Sequence, residues 1–138
     1  MMGFGDTPTE NPAPAAVDVI LIQRLEGAAI LGASVFAYAW LGQSWLVFAL
    51  LLLAPDIAML GYLHSLRAGT LSYNLVHTYV APALLALAGL VLGPWAFGIA
   101  AIWAGHIGLD RMLGFGLKLG GEFKRTHLSP MSGPPSER

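Results

Sequence analysis

Residues 93–114 read GPWAFGIAAIWAGHIGLDRMLG, an apolar run that is long enough to cross a lipid bilayer and ends in ionisable side chains. Pro94 suits the first turn of a helix, where its missing N–H is not needed. Small residues recur along the run at Gly98, Ala101, Gly105 and Gly108. Such a stripe lets a neighbouring helix approach closely. His106 and Asp110 lie four residues apart, so they share one face of the predicted helix.

Three further apolar runs precede this one, over residues 17–40, 44–63 and 73–92. Of the 138 residues, 56% are hydrophobic and 11% are charged, whereas a typical soluble domain has about 25% charged residues. This composition excludes an ordinary soluble domain. The sequence predicts an all-α polytopic membrane protein whose four transmembrane helices, the last over 94–114, form an up-and-down bundle. Pro55 removes a backbone donor and is expected to bend the second helix.

The two ends of the chain differ from its apolar middle. Residues 1–16 contain three prolines and no Lys or Arg, which favours a disordered tail over a cleaved signal peptide. Apolar and basic residues interleave over residues 115–128, a pattern typical of a segment that lies at the membrane surface. Residues 129–138 are rich in proline and are predicted to be disordered.

The basic residues fall on one side of the predicted bundle. The first loop, near residues 42–43, and the third loop, near Gly93, contain no Lys or Arg. Arg67 lies in the second loop, and most other basic residues lie at the end of the fourth helix or beyond it. Because Lys and Arg accumulate in short cytoplasmic loops, both termini are expected in the cytoplasm.

Ionisable residues inside the apolar runs map to the cytoplasmic half of all four helices. Glu26 lies early in the first helix, and Asp56 lies late in the second. His77 lies early in the third helix, and His106 and Asp110 lie late in the fourth. These two imidazoles and three carboxylates form a ligand set that suits a divalent Zn, Fe or Mn ion. The carboxylates of Glu26, Asp56 and Asp110 are also candidates for acid–base catalysis.

Six further polar residues are candidates for supporting roles: Arg24, Tyr62, Tyr73, Asn74, Arg111 and His127. The two arginines would bind an anionic group, and one of the tyrosines would orient the site. His127 is included because the chain after the fourth helix can fold back over the cytoplasmic mouth of the bundle. The alternative interpretation is structural, with the arginines neutralising carboxylates and the histidines cross-linking helices through hydrogen bonds.

Short motifs occur in order along the chain: Arg24-Leu25-Glu26-Gly27, Pro55-Asp56-Ile57, Tyr73-Asn74, His77-Thr78-Tyr79, Gly105-His106, Asp110-Arg111 and Thr126-His127-Leu128. With them the chain resembles, over residues 21–128, the small bacterial membrane family catalogued as domain of unknown function 4260. The resemblance implies a four-helix, multi-pass protein of the bacterial cytoplasmic membrane, and it supplies no reaction. A weaker likeness, in Pro55-Asp56 and Arg125-Thr126-His127, is to bacterial membrane proteins labelled metal-dependent hydrolases.

Three functions are consistent with these features. The preferred hypothesis is a metal-dependent or acid–base enzyme that acts on a hydrophobic or amphiphilic substrate. The alternatives are a proton-coupled transport or small-ligand binding protein, and a structural membrane subunit whose polar network only fixes helix packing. The net charge of −1 argues against a nucleic-acid partner. The expected partners are the lipid bilayer and a second copy of the chain.

Overall fold

The computed structural model describes residues 14–119 and 126–128, and this part of the chain is helical. It contains α1 (Pro14–Trp40), α2 (Trp45–Leu51), a 3₁₀ helix (Ala54–Leu63), α3 (Leu66–Val76), α4 (Val80–Leu92) and α5 (Pro94–Leu113). No strand occurs in these ranges, apart from one isolated antiparallel bridge between Lys118 and Thr126. α1 begins within the predicted N-terminal tail, and residues 1–13 lie outside the described residues. The predicted tail over 129–138 also lies outside them.

α5 is the central helix and packs against both α1 and α4. Glycines make the contact with α1 close. A Cβ added at Gly108 would lie 2.7 Å from the carbonyl oxygen of Gly27 and 2.8 Å from the nitrogen of Leu31. A Cβ added at Gly105 would lie 3.2 Å from the side chain of Ser34. The predicted small-residue stripe therefore lets α1 and α5 approach until their backbones touch.

The second apolar run is divided into two helices, where one helix bent at Pro55 was predicted over 44–63. α2 ends at Leu51, and the chain continues as the 3₁₀ helix. The physical reason is Pro55, which has no N–H to bond the carbonyl of Leu51, four residues earlier. Asp56 consequently lies in the first turn of the 3₁₀ helix.

The third run also differs from the prediction of one helix over 73–92. It begins earlier, at the start of α3, where the side chain of Ser65 caps the helix by accepting the N–H of Ala68 at 3.0 Å. The run then breaks between α3 and α4, whose axes are bent by 44°. Pro82 lies in the first turn of α4 and cannot bond the carbonyl four residues earlier, which explains the break. His77 is the residue that ends α3.

The helices are apolar enough to indicate a membrane protein. Among the described residues, Val17–Trp40 and Trp45–Leu63 are each long and apolar enough to cross a bilayer, and α3 with α4 forms a third candidate if the bent pair is one span. α5 is not among these candidates, and it carries polar residues in its last two turns. Large apolar side chains also remain exposed, including Val91 at 90% and Leu63 at 85%. A surface of this kind suits contact with lipid.

The two loops without Lys or Arg lie together at one end of the molecule. Gln43, in the first loop, donates a hydrogen bond from Nε2 to the carbonyl of Pro94 at 2.8 Å. The hydroxyl of Tyr38 donates to the carbonyl of Ser44 at 2.8 Å, which fixes the turn between α1 and α2. The opposite end of the molecule carries the polar residues described below.

After α5 the chain turns back toward the helices. Gly114 has φ +94°, a left-handed conformation that ends α5. The N–H of His127 then donates to the carbonyl of Leu117 at 3.0 Å, and Leu128 is 3% exposed. The described parts of the predicted interfacial segment therefore pack against helix ends. Residues 120–125 lie outside the described residues.

Candidate metal centre

Four side chains from three helices bring their ligand atoms together at one point. The Nε2 atoms of His77 and His106 are 3.1 Å apart. Asp56 Oδ1 lies 3.5 Å and 3.4 Å from these two nitrogens. Asp110 Oδ2 lies 3.5 Å and 3.6 Å from them. All four ligand atoms lie within 4.8 Å of one another, so these residues could hold one metal ion.

Local structure explains how each ligand reaches the cluster. His106 and Asp110 are one turn apart on α5, so their side chains share a face. Asp56 is brought in because Pro55 ends α2 early and starts a tighter helix. His77 has φ −100° and ψ 17°, outside helical geometry, because α3 ends at this residue. The two prolines that divide the apolar runs therefore help to deliver two of the four ligands.

A backbone hydrogen bond determines which nitrogen of His77 faces the cluster. Nδ1 of His77 lies 2.9 Å from the carbonyl oxygen of Tyr73. Since a carbonyl can only accept, Nδ1 carries the proton and Nε2 presents a lone pair to the other ligands. Nδ1 of His106 is buried and has no hydrogen-bond partner among the described residues.

Tyr73 supports two ligands at once. Its ring stacks on the imidazole of His77, with centroids 3.7 Å apart and an interplanar angle of 10°. Its hydroxyl donates to Asp110 Oδ2 at 3.4 Å. Tyr62, the other tyrosine considered as an orienting group, pairs with the hydroxyl of Thr70 at 3.3 Å. That contact joins the 3₁₀ helix to α3.

The four side chains of the cluster differ in their exposure. His77 and His106 are each 2% exposed. The side chain of Asp110 is 17% exposed, whereas that of Asp56 is 44% exposed. The cluster is therefore most accessible on the Asp56 side.

The two predicted anion-binding arginines make other contacts. Arg24 donates from Nε to the carbonyl of Met112 at 2.9 Å. Arg111 donates from Nη2 to the carbonyl of His77 at 3.3 Å. Its Nη1 lies 2.8 Å from Nε2 and 3.1 Å from Nδ1 of His127. Burial and the positive charge of Arg111 lower the pKa of His127.

The chain after α5 is held against α3 by Asn74. Its side chain donates to the carbonyl of Lys118 at 2.8 Å and accepts the N–H of the same residue at 2.7 Å. The ammonium of Lys118 lies 5.0 Å from the ring centroid of Tyr73, and burial lowers the pKa of Lys118. Nδ1 of His127 accepts the N–H of Leu117 at 2.8 Å. Asn74 and His127 thus fix the returning chain beside the cluster.

One predicted ligand is not brought to the cluster, and two supporting residues were missed. Glu26 is exposed on α1 and is not part of the four-residue group. Trp103 is the first of these, because its indole N–H donates to the carbonyl of Val76 at 2.7 Å and holds the end of α3 beside His77. Its position three residues before His106 was the available signal. No spacing rule pointed to Lys118.

A second feature that sequence patterns did not indicate is an apolar groove of about 820 Å³ between α1, α4 and α5. Small side chains line much of it, including Ala33, Ala37, Ala83, Ala101 and Ala104. Tyr79 also lines the groove, two residues after His77, and its buried hydroxyl has no hydrogen-bond partner among the described residues. One residue that lines the groove is therefore only two positions from a residue of the ligand cluster.

Comparison with known proteins identifies a family but no characterised relative. No curated protein and no solved structure matches the chain. A family model matches residues 20–131, which is most of the sequence, and confirms the resemblance drawn from the short motifs. The chain belongs to the family described as Domain of unknown function (DUF4260).

Proposed function

We propose that Asp56, His77, His106 and Asp110 bind one divalent cation. The observation that carries the proposal is the set of distances between ligand atoms. A tetrahedral zinc ion with bonds of about 2.1 Å separates its ligand atoms by about 3.4 Å. The five distances that involve a histidine lie between 3.1 and 3.6 Å, so they match that separation.

The charge of the cluster also supports a bound cation. Nε2 of His77 is only an acceptor, because Nδ1 carries the proton. It faces the carboxylates of Asp56 and Asp110, which repel one another and the imidazole lone pair in apolar surroundings. A divalent ion at the centre would neutralise both aspartates and engage all four ligand atoms.

The ligand types favour zinc and indicate what it would do. Imidazole and carboxylate together suit Zn, Fe or Mn, and near-tetrahedral spacing favours Zn. Such an ion acts as a Lewis acid and activates a bound water. The surrounding helices are apolar, and the groove offers space for an apolar chain. We infer a metal-dependent enzyme that acts on a hydrophobic or amphiphilic substrate.

The membrane arrangement that accompanies this proposal has four spans. They are α1, α2 with the 3₁₀ helix, α3 with α4, and α5. The hydrogen bond between Gln43 and Pro94 supports it, because it joins the two cation-free loops. Arg111 and Lys118 lie at the other end, beside the cluster. Both termini and the metal centre would then lie on the cytoplasmic side of a bacterial inner membrane.

The experiment is elemental analysis of protein purified in mild detergent. Wild type should contain about one zinc, iron or manganese ion per chain, as expected for a single four-ligand site. A double variant, His77→Ala with His106→Ala, should lose the ion while circular dichroism shows that it is still helical. His64→Ala is the matched control, because His64 is exposed and outside the cluster. Wild type that neither contains metal nor binds added zinc would overturn the proposal.

One contact favours a second function, a proton relay for transport. The 3.1 Å separation of the two Nε2 atoms lets His106 donate a proton to His77 when no metal is present. A relay predicts that metal-free protein in vesicles dissipates a pH gradient, and that His106→Ala abolishes this flux. Stoichiometric metal without flux would leave the metal centre as the function.

A further inference from the structure

The four ligands of the proposed metal centre differ in how many contacts fix their side chains. His77 is buried, hydrogen-bonded at Nδ1 and stacked on Tyr73. His106 is buried within the most enclosed part of α5, and Asp110 receives the hydroxyl of Tyr73. Asp56 has no comparable support. Among the described residues, its carboxylate faces no hydrogen-bonding group except the two imidazoles, and Nε2 of His77 carries no proton to donate.

The backbone that carries Asp56 is also the least regular of the three ligand-bearing helices. It belongs to a 3₁₀ helix of 10 residues, whereas runs beyond three or four residues are uncommon because their hydrogen bonds are poorly aligned. The N–H of Asp56 bonds to the carbonyl of Leu53 at 3.2 Å. The helix is fixed to α3 by bonds farther along, such as Ser72 Oγ to the carbonyl of Ala58 at 2.8 Å. Its first turn lies before these attachments.

We propose that Asp56 is the exchangeable ligand and that the position it leaves is the substrate-binding position of the metal. This inference rests on the proposed metal centre. Catalytic zinc sites keep three protein ligands and one open position, whereas structural sites use four. His77, His106 and Asp110 form the permanent set. The open position lies on the accessible side of the cluster because Asp56 is the most exposed ligand.

The ligand class that fits this position is an oxygen donor. It replaces a carboxylate, so it is first a water and then the carbonyl or phosphoryl oxygen of a substrate. A metal held by His77, His106 and Asp110 would make a bound water more acidic, and the displaced Asp56 carboxylate would accept the proton that this water loses. Asp56 therefore acts as ligand in the resting state and as general base during the reaction.

Cobalt-loaded protein tests this assignment without an assay of activity. Cobalt(II) reports its coordination through its visible absorption, and the probes are cobalt alone, then added acetate or inorganic phosphate. Asp56→Asn should still bind one cobalt ion but at least about 10-fold more weakly, since the loss of a direct ligand should cost no less than the loss of a group that only orients one. Acetate and phosphate should change its spectrum at lower concentrations than they change that of wild type.

Asp110→Asn is the matched variant, since it changes the other aspartate in the same way and should lose cobalt. The assignment fails if Asp56→Asn loses cobalt as completely as Asp110→Asn does. It also fails if Asp56→Asn keeps a four-coordinate spectrum that neither anion alters. Wild type that binds no cobalt is a separate result, because it would overturn the metal centre itself.

Discussion

The imidazole of His77 lies parallel to the ring of Tyr73 at 3.7 Å and is hydrogen-bonded through Nδ1 to the carbonyl of the same residue. One residue therefore sets both the plane and the tautomer of a proposed ligand. Groups that orient ligands in this way affect metal affinity although they never touch the ion.

Tyr73→Phe should weaken zinc binding by about tenfold, the lower end of the effect of such groups. The change keeps the stacked ring and removes the hydroxyl, whose bond to Asp110 is long at 3.4 Å. A competition titration with a zinc-binding dye measures the affinity. Tyr38→Phe is the control, because it removes a hydroxyl bond at the opposite end of the molecule. Equal affinities in the two variants would contradict the role given to Tyr73.

Zinc should raise the thermal stability of the protein. An ion that binds only the folded state adds about 4 kcal/mol to the free energy of unfolding when its free concentration is about 1,000 times Kd. Thermal unfolding in detergent, followed with and without added zinc, measures the shift. The double variant of His77 and His106 should show no shift. A similar shift in that variant would mean that zinc acts elsewhere on the protein.

Gly108→Ala should destabilise the protein by about 1–3 kcal/mol, the usual cost of overpacking. The new methyl would meet backbone atoms of α1 at 2.7 and 2.8 Å, and backbone cannot move aside as a flexible side chain can. Gly32→Ala, also in a helix, is the control because nothing lies within 4 Å of its added Cβ. It should be neutral or stabilising by up to about 1 kcal/mol. Unfolding in denaturant compares the two, and equal stabilities would show that α1 and α5 are not in close contact.

Acid should weaken the attachment of the chain after α5 through His127. Its pKa is lowered below the usual 6.5 in the folded protein, so the unfolded chain takes up the proton first. The stability it contributes is complete above about 6.5 and is lost as the pH falls through the lower folded value. Protonation of Nδ1 also removes the acceptor of the Leu117 N–H.

The measurement is the unfolding midpoint of zinc-loaded protein at a series of pH values. His127→Gln should show a smaller loss of stability below about pH 6.5 than wild type does. The difference between the two proteins isolates His127 from the other titrating groups. Identical pH profiles would refute the contribution.

Much of the fold could be predicted from local pattern. The first and last helices were placed to within a few residues because each is one uninterrupted apolar run, with Pro94 at the start of the last and Gly114 after its end. The breaks near Pro55 and Pro82 were harder to place. A proline acts on the carbonyl four residues earlier, so each break lies before the proline itself.

The candidate site could also be predicted only in part. His106 and Asp110 were paired by their spacing, and Asp56 and His77 were assigned to the same leaflet by topology. Glu26 satisfied the leaflet argument and yet is exposed, because the neighbouring Gly27 occupies the contact with α5. Which face of a helix packs against its neighbours depends on tertiary contacts. The groove and the contacts of Lys118 depend on tertiary contacts too. None of these features can be predicted from local sequence.

Side-chain hydrogen bonds, such as Trp103 to Val76 and Asn74 to Lys118, join two groups of helices beside the cluster. The 3₁₀ helix packs with α3, whereas α1 and α4 pack on α5, and the proposed ion takes two ligands from each group. Bound metal would therefore act as a reversible cross-link between the two groups. Its removal would leave the junction between these two groups to the hydrogen bonds alone.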